Sequence, residues 1–211
     1  MNNPIPQKKL STALLIALVG FPQISETIYT PALPSVAAGL HTSVFMVEAT
    51  LAIYFLGFAL GVLVWGTISD TYGRRNSMLS GLLVYGIGTW ACANSGSVEL
   101  LLFWRFVQAF GASVGSVITQ TILRDSYSGA ERTKLFSVMS AALAFSPALG
   151  PILGGYISEL FDWRANFWAL VILSIARKFI WGTVPLVFPW PFDDLLVPQM
   201  LRLRQEIRIQ L

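Results

Sequence analysis

Apolar residues fall along this chain in five long runs, Leu10 to Thr30, Val44 to Ile68, Asn76 to Asn94, Val98 to Leu123 and Lys134 to Leu160, separated by short polar links. A helix needs about 20 mostly apolar residues to cross a hydrocarbon core of about 30 Å, and each run meets that length. A sixth opens at Phe167 and meets Arg177 and Lys178 after ten residues. It completes a crossing only if Phe161 and Trp163 belong to one end and the two bases snorkel to the far surface. The short links predict that successive helices pack as antiparallel neighbours. The expected fold is therefore all-α: a polytopic membrane helix bundle of six spans, the sixth short. Residues 1–9 precede the bundle, 10–178 form it, and 179–211 are a tail of different character. Pro185, Pro189, Pro191 and Pro198 crowd the start of that tail, and "LRLRQEIRIQL" alternates strictly. Repeated proline opposes a regular helix, and a period of two is wrong for a span.

Charge agrees with a bilayer as solvent. Only 12% of the 211 residues are charged and 55% are hydrophobic, against about 25% charged in an ordinary soluble domain. Lys8 and Lys9 precede the first run, Arg74 and Arg75 join the second to the third, and Arg124, Arg132 and Lys134 flank the link from fourth to fifth. The alternate links, 31–43 and 95–97, contain no lysine or arginine, so the N-terminus is expected in the cytoplasm. Lys8 and Lys9 before an apolar core also suit a secretory signal peptide, but Pro22, Gln23 and Glu26 interrupt that core and no small-residue cleavage site closes it. One cysteine, Cys92, and one histidine, His41, offer neither a disulfide framework nor a cluster of metal ligands. A net charge of +3 does not suggest nucleic acid as a partner, and no nucleophile with an adjacent base points to an enzyme.

Three charges fall inside the runs. A charge near mid-bilayer costs roughly 3 kcal/mol on insertion scales and usually faces a cavity or a partner. Glu26 lies four residues from the end of the first run, Glu48 four from the start of the second, and Arg105 seven from the start of the fourth. At 1.5 Å per residue they share a depth to within about 5 Å. A carboxylate and an arginine at one depth can pair across a cavity and be released by protonation. Glu48 is near enough to the surface to reach water.

Small residues four apart, Gly57 with Gly61, Gly111 with Gly115 and Gly150 with Gly154, share a helix face and admit a close neighbour. "SPALGPILGG", Ser146 to Gly155, adds Pro147 and Pro151, which remove two backbone donors and should bend the helix. Aromatic residues, among them Tyr29, Tyr54, Phe55, Tyr85, Trp90 and Phe103, should mostly face lipid or the interfacial belts, with an inward subset making a pocket for flat lipophilic ligands.

These motifs resemble those of the major facilitator superfamily. "GTISDTYGRRNSML" is similar to its signature between spans two and three, with Gly66, Asp70, Gly73, Arg74 and Arg75 matching. "RFVQAFGAS", which holds Arg105 and Gln108, resembles the fourth-span signature, with Ala109 in place of a glycine. "SPALGPILGG" resembles the antiporter signature of the fifth span through Pro147, Gly150, Pro151, Gly154 and Gly155, with Ser146 in place of its first glycine. "WRANFW" resembles the start of the sixth span. "ETIYTPALPSVAAGL" resembles the first span of the bicyclomycin and chloramphenicol resistance branch of drug/proton antiporters. Aligning Tyr29 to Pro34 there puts Thr27 at that branch's aspartate position, with Glu26 one residue earlier.

The resemblance implies a multidrug exporter of the bacterial inner membrane, driven by the proton gradient and needing no cofactor. It would carry small lipophilic drugs past a cavity containing Arg105, Glu26, Gln108, Tyr29 and Tyr54. Asp70 would help latch the two six-span halves of such a transporter together on the cytoplasmic side, and within this chain it would cap the third helix. The resemblance runs from about Lys9 to Ile175, one half of the family's fold. The expectation is thus a truncated, inactive half; the alternatives are a half-size transporter active as a homodimer, or a membrane subunit pairing with another transporter's half.

Overall fold

The computed structural model describes residues 12–187. Among them there is no strand, and six helices of 16 to 32 residues form a bundle. They are α1 (Thr12–Thr27), α3 (Val44–Tyr72), α4 (Arg74–Ala93), α5 (Val98–Ser126), α6 (Gly129–Leu160) and α7 (Arg164–Val187); a 3-10 turn (Thr30–Ala32) and the short helix α2 (Leu33–Gly39) fill the first link. Among the described residues, α3, α5 (over Val98–Arg124) and α6 are long and apolar enough to cross a membrane by length and composition.

Two of the element boundaries that differ from the sequence expectation do so for identifiable reasons. Ile68 was the expected end of the second span, but α3 runs on through Gly66 and Asp70 to Tyr72, so the polar signature is mostly helix and the link is Gly73 alone. Gly73 ends α3 and begins α4 at φ 82 and ψ 157, a conformation that L side chains avoid and glycine adopts freely. That turn is too tight for an aspartate cap: α4 has no side-chain cap, and Asp70, expected to provide one, is exposed one turn earlier. Serines do cap elsewhere, Ser43 accepting from the Met46 N–H at 3.3 Å and Ser97 from the Leu100 N–H at 3.4 Å.

The second difference is α7. It starts three residues before Phe167 and continues through Arg177, Lys178 and Pro185 to Val187, so the helix is 24 residues long and takes in residues 179–187 of the expected tail. Intrinsic propensity is a weak prior, and one proline near a helix end does not stop it. Lys8, Lys9, Pro189, Pro191, Pro198 and the alternating C-terminal segment lie outside the described residues.

Packing also departs from simple neighbour order. The closest pairs include α3 with α5 and α1 with α6, whose contacts advance together along both helices, so these helices run parallel. A Cβ at Gly57 would lie 2.5 Å from the Phe106 carbonyl oxygen, and one at Gly61 would lie 2.7 Å from that of Phe110. Trp65 Nε1 then donates to the same Phe110 oxygen at 2.8 Å. On its other side α5 meets α4 antiparallel, where a Cβ at Gly88 would lie 2.7 Å from the Gln108 nitrogen and one at Gly111 would lie 2.7 Å from the Tyr85 Cα. Small side chains let backbones approach until dispersion and polar contacts replace a missing hydrophobic drive between helices in lipid.

The α1–α6 contact follows the same rule. Ser146, Gly150 and Gly154 make one buried edge of α6, while Phe145, Leu149, Ile152 and Leu153 are exposed on the other. Gly20 packs on Ser146, and a Cβ at Gly150 would lie 3.0 Å from the Thr27 Cβ. One at Gly154 would lie 2.6 Å from the Ile28 carbonyl carbon, whereas Gly155 faces open space. Helix α6 runs unbroken through Pro147 and Pro151. Gly154→Ala should therefore force α1 and α6 apart, costing about 1–3 kcal/mol by overpacking and lowering the apparent melting temperature in detergent by about 5 °C. Gly155→Ala should leave it unchanged or slightly raised.

Candidate functional site

About 10 Å from the Ser97 end of α5, at 1.5 Å per residue, Arg105 is fully buried. Its guanidinium lies between two aromatic plates, 4.4 Å from the centroid of the Tyr29 ring and 4.3 Å from that of Tyr54, with Phe167 of α7 at 6.0 Å. Each plate is fixed by its own hydroxyl. Tyr29 shares a hydrogen bond with Thr50 of α3, and Tyr54 donates to the Pro22 carbonyl of α1 at 3.1 Å. Thr50 in turn donates to the Val47 carbonyl at 2.5 Å.

The guanidinium has three oxygen partners. Nη1 donates to Gln108 Oε1 at 2.7 Å and reaches the Ser25 carbonyl at 3.5 Å; Nη2 reaches the Glu26 carbonyl at 3.5 Å. Nε has no partner. Hydrogen bonding weakens steeply towards 3.5 Å, so Gln108 makes the one strong bond. A charge-assisted bond contributes about 1.5–3 kcal/mol and a desolvated cation–π contact about 2 kcal/mol. Together these are of the size of the several kcal/mol that burying an ion costs in a real protein.

The expected Glu26–Arg105 ion pair is not the arrangement found. Glu26 is half-buried and offers Arg105 its main-chain carbonyl. Depth matched as expected; direction around the helix did not, because one residue turns the side chain by about 100°. Glu48 is exposed.

The structure brings Arg105, Gln108, Tyr29 and Tyr54 into one buried cluster, with Glu26 at its edge. Gly150 and Gly154 join it indirectly, since they press on Thr27 and Ile28, the next residues of the same α1 segment. Pro147 is exposed, and Pro151 and Gly155 are half-buried on α6. Gly66, Asp70, Gly73, Arg74 and Arg75 are at the opposite end of the bundle, Asp70 and Arg75 exposed and Gly66, Gly73 and Arg74 half-buried.

Aromatic placement is more inward than composition suggests. Tyr29, Tyr54 and Tyr85 are buried, while Phe55, Trp90 and Phe103 face outward. Sequence reasoning missed Ser25, Thr50, Thr89 and Phe167. The signal that could have found the first three is their polarity within apolar spans; nothing marked Phe167.

Residues 15–189 match the sequence model described as Major Facilitator Superfamily. The chain belongs to that superfamily. It is therefore an integral membrane protein of a transporter family, and the all-α bundle is one half of that fold. It is 40% identical over 184 residues to an uncharacterized transporter of Rickettsia bellii, covering 85% of this chain and 46% of that one. It is 30% identical over 166 residues to the multidrug resistance protein D of Escherichia coli, 79% of this chain and 42% of the relative. A chloramphenicol resistance protein of Pseudomonas aeruginosa is 35% identical over 151 residues, 71% and 36% of the two chains. The alignments thus span less than half the length of these curated relatives. Among solved structures, a proton:xylose symporter bound to 6-bromo-6-deoxy-D-glucose superposes with a TM-score of 0.70 at 18% identity, over 82% of this chain and 44% of that one. That likeness speaks for the fold.

Tyr54 gives a separable test of the aromatic clamp. Tyr54→Phe keeps the ring on Arg105 and loses the bond to Pro22, so it should destabilise by about 1 kcal/mol. Tyr54→Leu also removes the ring and should cost about 2–4 kcal/mol. Both are read from thermal unfolding in detergent.

Proposed function

We propose that this chain supplies the N-terminal half of a proton-coupled exporter of small lipophilic drugs, with Arg105 as its working charge. The observation that carries this reading is the fully buried guanidinium held by tyrosines and Gln108 with no carboxylate in salt-bridge reach among the described residues. A charge kept in such a place at several kcal/mol usually belongs to an ion or substrate pathway. Relatives named for drug resistance, each more than twice as long as the stretch they share with this chain, support the substrate class and the need for a second half. The proton gradient would supply the energy. Glu26, half-buried beside the clamp, is the nearby carboxylate for a proton, and Asp70 with Arg74 and Arg75 would bear on the second half at the other end.

The test is efflux of a fluorescent lipophilic drug from energised cells of a drug-susceptible bacterium. The chain is expressed alone and together with the C-terminal half of a chloramphenicol-resistance relative. Export is expected only with both halves, and Arg105→Ala should lower it at least about tenfold, corresponding to about 1.4 kcal/mol. Export by the chain alone would instead favour a homodimer, and no export in either arrangement would overturn the reading.

Orientation is tested separately. We infer a bacterial inner-membrane location with the N-terminus in the cytoplasm, from the placement of lysine and arginine. Gly96 and Asn76 are exposed at opposite ends of α4, and the native Cys92 is fully buried. A membrane-impermeant maleimide should label Gly96→Cys in intact spheroplasts and Asn76→Cys only after permeabilisation. The reverse pattern would invert the topology.

A further inference from the structure

The strong bond to Arg105 depends on which way round the Gln108 amide stands. A side-chain amide carries an acceptor oxygen and a donor NH2 of nearly the same shape, and a guanidinium has donors only. The 2.7 Å contact with Arg105 Nη1 therefore needs Oε1 on that side. On the other side Gln108 Nε2 donates to Thr89 Oγ1 at 3.0 Å. A free hydroxyl would serve either orientation. Thr89, however, commits its proton to the Tyr85 carbonyl one turn earlier in α4, at 2.7 Å. Only oxygen lone pairs remain towards Gln108, so that end of the amide must be NH2.

Tyr85, Thr89, Gln108 and Arg105 are all fully buried, which keeps bulk water from competing for any of these groups. The spacing is held by backbone, since Gly88 brings α4 against the main chain of Gln108. The chain of donors runs one way, from Gln108 Nε2 through Thr89 to the Tyr85 carbonyl, while Oε1 is left for the cation.

We propose that Thr89 is a positioning residue for Arg105, fixing the Gln108 amide so that its oxygen faces the guanidinium. Thr89 acts through Gln108, whose Nε2 donates to its hydroxyl oxygen. Its consequence for transport rests on the reading of Arg105 given above; its consequence for the guanidinium does not.

The experiment therefore has two arms. In the first, the full chain labelled with 15N-arginine in detergent micelles reports the Arg105 side-chain signals, assigned by their loss in Arg105→Lys. Thr89→Val, close in volume and lacking the hydroxyl, should shift them and speed Nη hydrogen exchange about tenfold, the equivalent of one lost buried hydrogen bond. Thr89→Ser should restore the native pattern. Gln108→Leu should reproduce the loss, and adding Thr89→Val to it should change nothing further, since residues acting through one bond are not additive. Unchanged Arg105 signals in Thr89→Val, or additive effects in the double variant, would overturn the proposal. Should Thr89→Val fail to give a monodisperse helical protein, Thr89→Ala is compared with Thr89→Ser in the same way.

The second arm measures drug efflux in cells expressing both halves. Thr89→Val should lower maximal export about tenfold with little change in the half-saturating drug concentration, as expected when orientation rather than binding is lost. Altered guanidinium signals beside unaltered export would support the positioning role and count against the transport reading.

Discussion

A cation that cannot reach water governs the arrangement of this bundle. Arg105 has no exposed surface, and no carboxylate approaches within ion-pair distance among the described residues. Its charge is met by dipoles and ring faces drawn from four helices and the turn that follows α1. Losing any one of them leaves the buried charge less fully compensated, which is costlier than losing a neutral contact. The tyrosine hydroxyls, the Pro22 carbonyl and the amide of Gln108 are thus constrained together, each element being fixed by the need to present its own group to one guanidinium.

Those groups reach Arg105 because the helices are unusually close. The glycines of α3 and α4 press backbone against backbone on both sides of α5, at Phe106, Phe110 and Gln108. A wider spacing, such as leucine-lined helices would give, would take Thr89 out of reach of Gln108 and Tyr54 away from the cation. The glycine pairs and the arginine therefore belong to one design: the first sets the distance at which the second can be satisfied.

Much of this was legible beforehand, and the misses have a common cause. Apolar run length located five of the six helices and the beginning of the sixth, because in lipid every backbone polar group must be satisfied within its own segment. Arg105, Gln108, Tyr29 and Tyr54 stood out through polarity or motif, and the glycine pairs through spacing. Azimuth was what the sequence could not carry. Depth along two helices places Glu26 and Arg105 level, yet whether a carboxylate points at a guanidinium depends on rotations of about 100° per residue set by packing elsewhere. The cap assigned to Asp70 failed similarly, since it assumed a link of several residues where Gly73 alone makes the turn. Thr89 and Thr50 escaped notice because their importance lies in whom they touch, 19 and 21 residues away in sequence.

The segment from Ser25 to Tyr29 joins the buried cation to the α1–α6 contact. One side of it supplies Arg105 with the Ser25 and Glu26 carbonyls and the Tyr29 ring. The other side bears on α6, where Gly150 meets Thr27 and Gly154 meets the Ile28 carbonyl. Five consecutive residues cannot follow one neighbour without the other. A change in how Arg105 is compensated must either carry α6 with α1 or open the glycine contact, and close-packed interfaces resist gradual opening. That makes the small-residue edge of α6 more than a packing surface: it ties the segment that compensates the buried cation to a 32-residue helix.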